Sequence, residues 1–171
     1  MLVSGIDRAR AACDASLADW QRSRGRRGSV TVAAEPGLAD DARAIVTAAR
    51  TAWSAVNRPN ALIAVPASEA GLAAMRELIS FAVCVDLECR TGSCDYGRVL
   101  EAYMEGLAAA SARGLDLGPI RAVATVTGLA PEEAQERSLT AWRRAAWLQL
   151  EDLGANRLSF VAASGERIPA A

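Results

Sequence analysis

No lysine and no histidine occur in this chain of 171 residues, so all 19 basic side chains are arginine. Without a lysine amine, no side chain can form a Schiff base with a carbonyl substrate. Without an imidazole, the groups left to move protons near neutrality are Asp, Glu, Cys and Tyr. The only primary amine is the N-terminus. Excess positive charge is missing as well, since the net charge is -1, which argues against a nucleic-acid or anionic-membrane surface. Long apolar runs are absent, and the opening MLVSGIDRAR turns polar too early for a signal peptide. The expectation is a cytoplasmic protein that neither spans nor binds a membrane.

What remains is ample for folding, because 51% of the residues are hydrophobic and 23% charged. Residues 1–171 are expected to form one globular domain. The four cysteines, Cys13, Cys84, Cys89 and Cys94, include no C-x-x-C pair and have no histidine to complete a zinc site. Neither a metal nor another cofactor is expected. Cys13 and Cys84 read as small core hydrophobes, whereas Cys89 and Cys94 flank a Gly-containing loop where a redox role is conceivable.

Short β-branched runs alternate with amphipathic stretches, the pattern of β/α units around a parallel sheet. Five strands are predicted at Ser29–Glu35, Ala61–Pro66, Ala82–Glu88, Ile120–Thr127 and Leu158–Ala163. Helices are predicted from about Ile6 to Arg22, at Leu38–Val56, from Ser68 and Glu69 to Leu78, from Tyr96 to Ala112 with Gly114 as a stop, and from Pro131 to a close at Gly154. The tract RSRGRR at 22–27 reads as cations at a helix C-terminus followed by a glycine-punctuated loop. Trp20, Trp53, Trp142 and Trp147 all fall in helical stretches, where packing is the default role.

At NRPNALIAVPASEAGLAAMREL, residues 57–78, the chain resembles the transaldolase segment in which a strand carries the Schiff-base lysine within a pattern like RPN-hydrophobic-IK-hydrophobic-PAT. The similarity continues into YGRVLEAYMEGLAAASARGLDLGPIRAVA, includes SVTVAAEP upstream, and extends more loosely to RLSFVAASG. Transaldolases form a (β/α)8 barrel, and the matching pieces correspond to its third through seventh strands. The implied fold is therefore α/β: a truncated, barrel-like parallel sheet of about five strands with outer helices. The family's first, second and eighth strands have no counterpart.

By the same matching, the lysine position is Ala64 and the glutamate of the third family strand is Ala33. The Asn and Thr of the fifth strand become Asp86 and Glu88. The Ser of the sixth strand becomes Thr125, its following Phe becomes Thr127, and the phosphate-binding Arg becomes Ala130. Family chemistry on sugar phosphates is thus not expected. Alternation turns Asp86 and Glu88 the same way, which the resemblance implies is the barrel interior, and Glu35 is expected to join them. Crowded carboxylates favour one acid and one base. Ala33 and Ala64 would leave room for a small-molecule ligand, with Thr125, Thr127 and Ser164 supplying hydrogen bonds. The same oxygens suit Mg²⁺ chemically.

Three functions follow as expectations. One is a small lyase, isomerase or cyclase acting on a non-phosphorylated metabolite through Asp86, Glu88 and Glu35. The second is a non-catalytic pseudoenzyme that binds a partner protein or metabolite through its sheet face. The third is a redox module using Cys89 and Cys94. Five parallel strands would also leave an apolar inner face and two open edges. A homodimer is the expected cover, with a heteromeric partner, the opening helix, or a rearranged three-layer sheet as alternatives.

Overall fold

The computed structural model describes residues 2–33, 41–92, 94–130, 132–133 and 145–163. Helix α1 (Leu2–Arg22) leads into strand β1 (Val30–Val32), followed by α2 (Ala42–Val56), β2 (Ala61–Pro66), α3 (Glu69–Ser80) and β3 (Val85–Arg90). Then come α4 (Tyr96–Ala112), β4 (Ala122–Thr127), a helix named α5 (Ala145–Asp152) and β5 (Ser159–Ala162). The five strands lie side by side in chain order and pair in parallel throughout. A doubly wound sheet reverses its strand order part-way, whereas a (β/α) barrel keeps it. Sequential order is therefore the topology of part of a barrel, as the sequence predicts.

Local chemistry explains the boundaries. Asp41 caps α2 by accepting from the backbone N–H of Arg43 and Ala44, so that helix starts at Ala42 rather than near Leu38. Ser68 caps α3 through Gly71, and Asp95 caps α4 through Gly97 and Arg98. At the end of α4, Leu115 N–H bonds the Ala110 carbonyl while Gly114, at φ +74°, bonds that of Ser111. That is a Schellman end with glycine in the left-handed position. Gly154 closes α5 in the same way.

Four strands differ from their predicted limits, β5 by one residue at each end, since it covers Ser159–Ala162 of the expected Leu158–Ala163. β1 covers only Val30–Val32 of the stretch Ser29–Glu35, whose last two residues lie outside the described part. β3 begins at Val85 instead of Ala82, because Ala82 sits at φ +60° in the turn that ends α3, and it runs two residues further, to Arg90. β4 starts at Ala122, since Ile120 N–H is engaged with the Leu117 carbonyl in a turn.

One sheet face packs on the helices. Ile63, Val65, Val85, Leu87, Ala124 and Val126 are buried there against Met75, Leu78, Ile79, Tyr103 and Leu107. The opening helix joins this layer rather than crossing the inner face. Its Arg10 donates to the Ala55 carbonyl, and its Cys13 carbonyl accepts from the buried Asn60 side chain. Trp147 is fully buried and Trp53 half-buried on the same layer, while Trp142 lies outside the described residues. No described helix is long and apolar enough to cross a membrane.

Candidate functional site

Alternation along the strands puts Thr31, Leu62, Ala64, Pro66, Asp86, Glu88, Val123 and Thr125 on the face opposite the helices. The ladders align them: Ala64 is the register partner of Asp86, Pro66 of Glu88, and Glu88 in turn of Thr125. Burial falls across this face. Leu62 and Asp86 are buried, Ala64, Glu88, Val123 and Thr125 are half-buried, and Thr127, Ser159 and Val161 are exposed.

The Asp86 carboxylate is 4% exposed, and its Oδ2 accepts a hydrogen bond from Thr31 Oγ1 at 2.6 Å. Thr31 lies on β1 and Asp86 on β3, so the bond passes over β2. Strands two apart in a flat sheet are separated by about 9.6 Å, with their side chains projecting in parallel. A direct bond between them means that the sheet curls toward this face. Small Ala64 sits in the intervening strand beside the crossing. Glu88 follows Asp86 at about 6.6 Å along the strand, one pleat higher on the same face.

The predicted group is only partly assembled by the described residues. Asp86 and Glu88 share the concave face with Ala64 and Thr125, while Ala33 and Thr127 are exposed at the strand ends. Glu35 and Ser164 lie outside the described residues, so the three-acid mouth reduces to two placed acids. Among the described residues no His, Cys, Asp and Glu side chains cluster in threes as metal ligands. Thr31 was not among the expected site residues. The signal for it is the same alternation, because in SVTVAAEP it is in phase with Ala33 and Glu35.

Exposed ion pairs link the helices and loops outside this face. Arg98 on α4 makes a two-pronged ion pair with Glu69 at the start of α3, and that pairing holds the Glu69 carboxyl below its usual range. Arg58 pairs similarly with Asp14, at 2.6 and 3.1 Å, joining the β2 approach to α1. The arginine tract after α1 lines a shallow depression formed by Arg22, Ser23, Arg24, Arg26 and Arg27. Arg22 and Arg27 both approach Asp19 at 3.6 Å, consistent with cations gathered at a helix end.

Residues 4–86 match the family model described as Transaldolase/Fructose-6-phosphate aldolase. The chain is 39% identical over 116 residues to Transaldolase 1 of Streptomyces coelicolor, covering 68% of this chain and 30% of that protein. It is 32% identical over 183 residues to a transaldolase of Neisseria gonorrhoeae, covering 94% of this chain and 52% of the relative. Against a transaldolase of Mycolicibacterium paratuberculosis the identity is 34% over 119 residues, 70% of this chain and 32% of that protein. The chain thus spans between about a third and a half of these relatives' length.

Proposed function

The chain belongs to the transaldolase family, and from that membership we propose that it does not run the Schiff-base reaction but presents a carboxylate acid/base site to a small, non-phosphorylated metabolite. Two observations support the first half: no lysine exists anywhere in the 171 residues, and Ala64 stands where the sequence resemblance places the family's lysine. A methyl group forms no carbinolamine. The observation that carries the second half is the Thr31–Asp86 bond on a curled, Ala64-lined face. A carboxylate fixed by a hydroxyl donor and shielded from water is a positioned base. Glu88, half-buried one pleat above, is the acid that returns the proton. The reaction class is proton transfer at carbon next to a carbonyl, as in a lyase, isomerase or cyclase. Ala33, Thr125 and Thr127 border the ligand, and no cofactor is needed for that chemistry.

Deuterium exchange into dihydroxyacetone and other small hydroxyketones, followed by NMR, tests this directly. Exchange that is lost in Asp86→Asn and Glu88→Gln, with circular dichroism unchanged, supports the reading. Unchanged exchange in both variants, or none in the unsubstituted chain, sinks it.

A second reading draws on a different observation. Val161 is 37% exposed and Val123 half-exposed on the concave face, and among the described residues β1 and β5 each pair with a single strand. Such a face and such edges suit a non-catalytic pseudoenzyme that docks a second copy of itself or a heteromeric partner. Light scattering after size exclusion at low micromolar concentration distinguishes the two: a folded monomer removes the homodimer, and a dimer dispersed by Val161→Glu supports it.

A further inference from the structure

The turn from β3 to α4 brings two thiols together. Alternation that points Asp86 and Glu88 to the concave face points Leu87 and Cys89 to the helices, and Cys89 is 2% exposed there. Cys94 immediately precedes the α4 cap Asp95 and is half-buried. The two Sγ atoms are 2.7 Å apart and are not joined by a bond. The other cysteines are engaged elsewhere. The Cys84 thiol faces the Pro119 carbonyl at 3.6 Å, and Cys13 is buried in α1.

We propose that Cys89 and Cys94 form a reversible intramolecular disulfide that ties the end of β3 to the start of α4. The oxidant is a low-molecular-weight disulfide. Cys94, the more accessible thiol, loses its proton and attacks one sulfur of that disulfide, forming a mixed disulfide and expelling one small thiol. Cys89 then attacks the Cys94 sulfur, breaks the mixed bond and expels the second small thiol. Two protein thiols and one small disulfide thus become one protein disulfide and two small thiols. Cys89 is suited to the second, resolving role. Its thiol is held protonated first by the hydrogen bond with Cys94, then by burial, then by negative charge including Asp86, so it waits until Cys94 is derivatised.

Reversibility follows from the short span. Only four residues separate the two positions, so closure removes little freedom from the unfolded chain, and little stability opposes reduction. Disulfides of intracellular proteins are characteristically of this transient, redox-responsive kind. The bond would form one residue beyond Glu88 and three beyond Asp86. Its existence is independent of whether those carboxylates act on a substrate.

The chain itself offers a clean assay. Trypsin cuts after Arg90, between the two cysteines, releasing residues 77–90 and 91–98 as separate peptides. The intact folded chain is equilibrated with mixtures of reduced and oxidised glutathione, quenched with acid, alkylated, digested and read by tandem mass spectrometry. The expected result is a joined pair of these peptides, lighter by two hydrogens, linked through Cys89 and lost on reduction. Cys94→Ser is expected to lose the joined pair, and Cys84→Ser to retain it. The proposal is overturned if glutathione accumulates on Cys94 without resolving, if the link runs through Cys84, or if four alkylated thiols persist at every ratio.

Discussion

Thr31 and Asp86 are hydrogen-bonded across an entire intervening strand, Oγ1 to Oδ2 at 2.6 Å. The contact ties β1 to β3 on the concave side, while the ladders and helices hold the convex side. It requires the sheet to be curved, and it supplies a donor to a carboxylate that the fold removes from water. Burial of such a group is costly unless donors offset it, so the Thr31 hydroxyl contributes to stability as well as to the candidate site.

Replacement of Thr31 by Val keeps the shape and deletes the donor. The expected loss is about 1–3 kcal/mol, because a buried acceptor loses a partner. Thr31→Ser should recover most of it. Urea denaturation with an unchanged m-value measures the difference, and equal midpoints for Thr31→Val and the unsubstituted chain would remove the bond from consideration.

Gly106 decides between two opposed effects. Helix propensity alone favours alanine over glycine in the middle of α4 by about 1 kcal/mol. A Cβ there, however, would stand 2.7 Å from Ile79 Cβ and 2.9 Å from the Arg76 carbonyl oxygen on α3. Backbone and a fully buried isoleucine cannot yield cheaply, so Gly106→Ala is expected to destabilise by about 1–3 kcal/mol. Ile79→Ala keeps the Cβ and removes only the Cγ2 that would lie 2.9 Å away, so in that background the same substitution should cost only slightly less, and the double-mutant cycle reports the difference.

Comparison of helix ends shows what could be read from sequence. Where glycine occupies the left-handed position, at Gly114 and Gly154, the stops were predictable and occur as expected. The end of α3 has the same geometry, with Val83 N–H on the Leu78 carbonyl and Ala82 N–H on that of Ile79, but the residue in the left-handed position is alanine. With no glycine to mark the turn, Ala82 reads as the start of a strand, and the β3 boundary is misplaced. That Asp86 and Glu88 share one face was legible because alternation needs only the strand's phase. Their partner Thr31 was not picked out, since its bond depends on curvature, which no local pattern records.

Ala82 therefore offers a stabilising substitution. An L-residue in the left-handed region costs about 1–2 kcal/mol relative to glycine. Part of that is offset by the half-buried methyl group, which packs on the core, and by the greater freedom of glycine in the unfolded chain. The net expectation for Ala82→Gly is a gain of up to about 1 kcal/mol, seen as a raised thermal midpoint. A lowered midpoint would mean that methyl packing outweighs backbone strain.

Alkaline pH should unfold this chain through its buried thiols. Burial pushes the Cys84 thiol up from its ordinary value of 9.0 to about 11, against an opposing influence from Arg121. Cys13 is likewise pushed up to about 11, by burial first and then by Asp14, with Arg58 opposing. The folded state therefore holds these protons where the unfolded chain has released them. Fewer protons bound by the unfolded chain means that stability falls as pH rises. The contribution is complete below pH 9, declines progressively above it, and is gone once pH passes about 11. For the deeply buried Cys84 the loss is on the order of 2 kcal/mol. Burial also raises the Tyr103 phenol above its usual value, which adds a further decline in the same direction at higher pH. Urea midpoints measured between pH 8 and pH 11 check the slope. Cys84→Ala has no proton to lose, so it should fall less steeply over that window than the unsubstituted chain, whatever its stability at pH 8. Parallel curves would show that the Cys84 thiol titrates alike in both states.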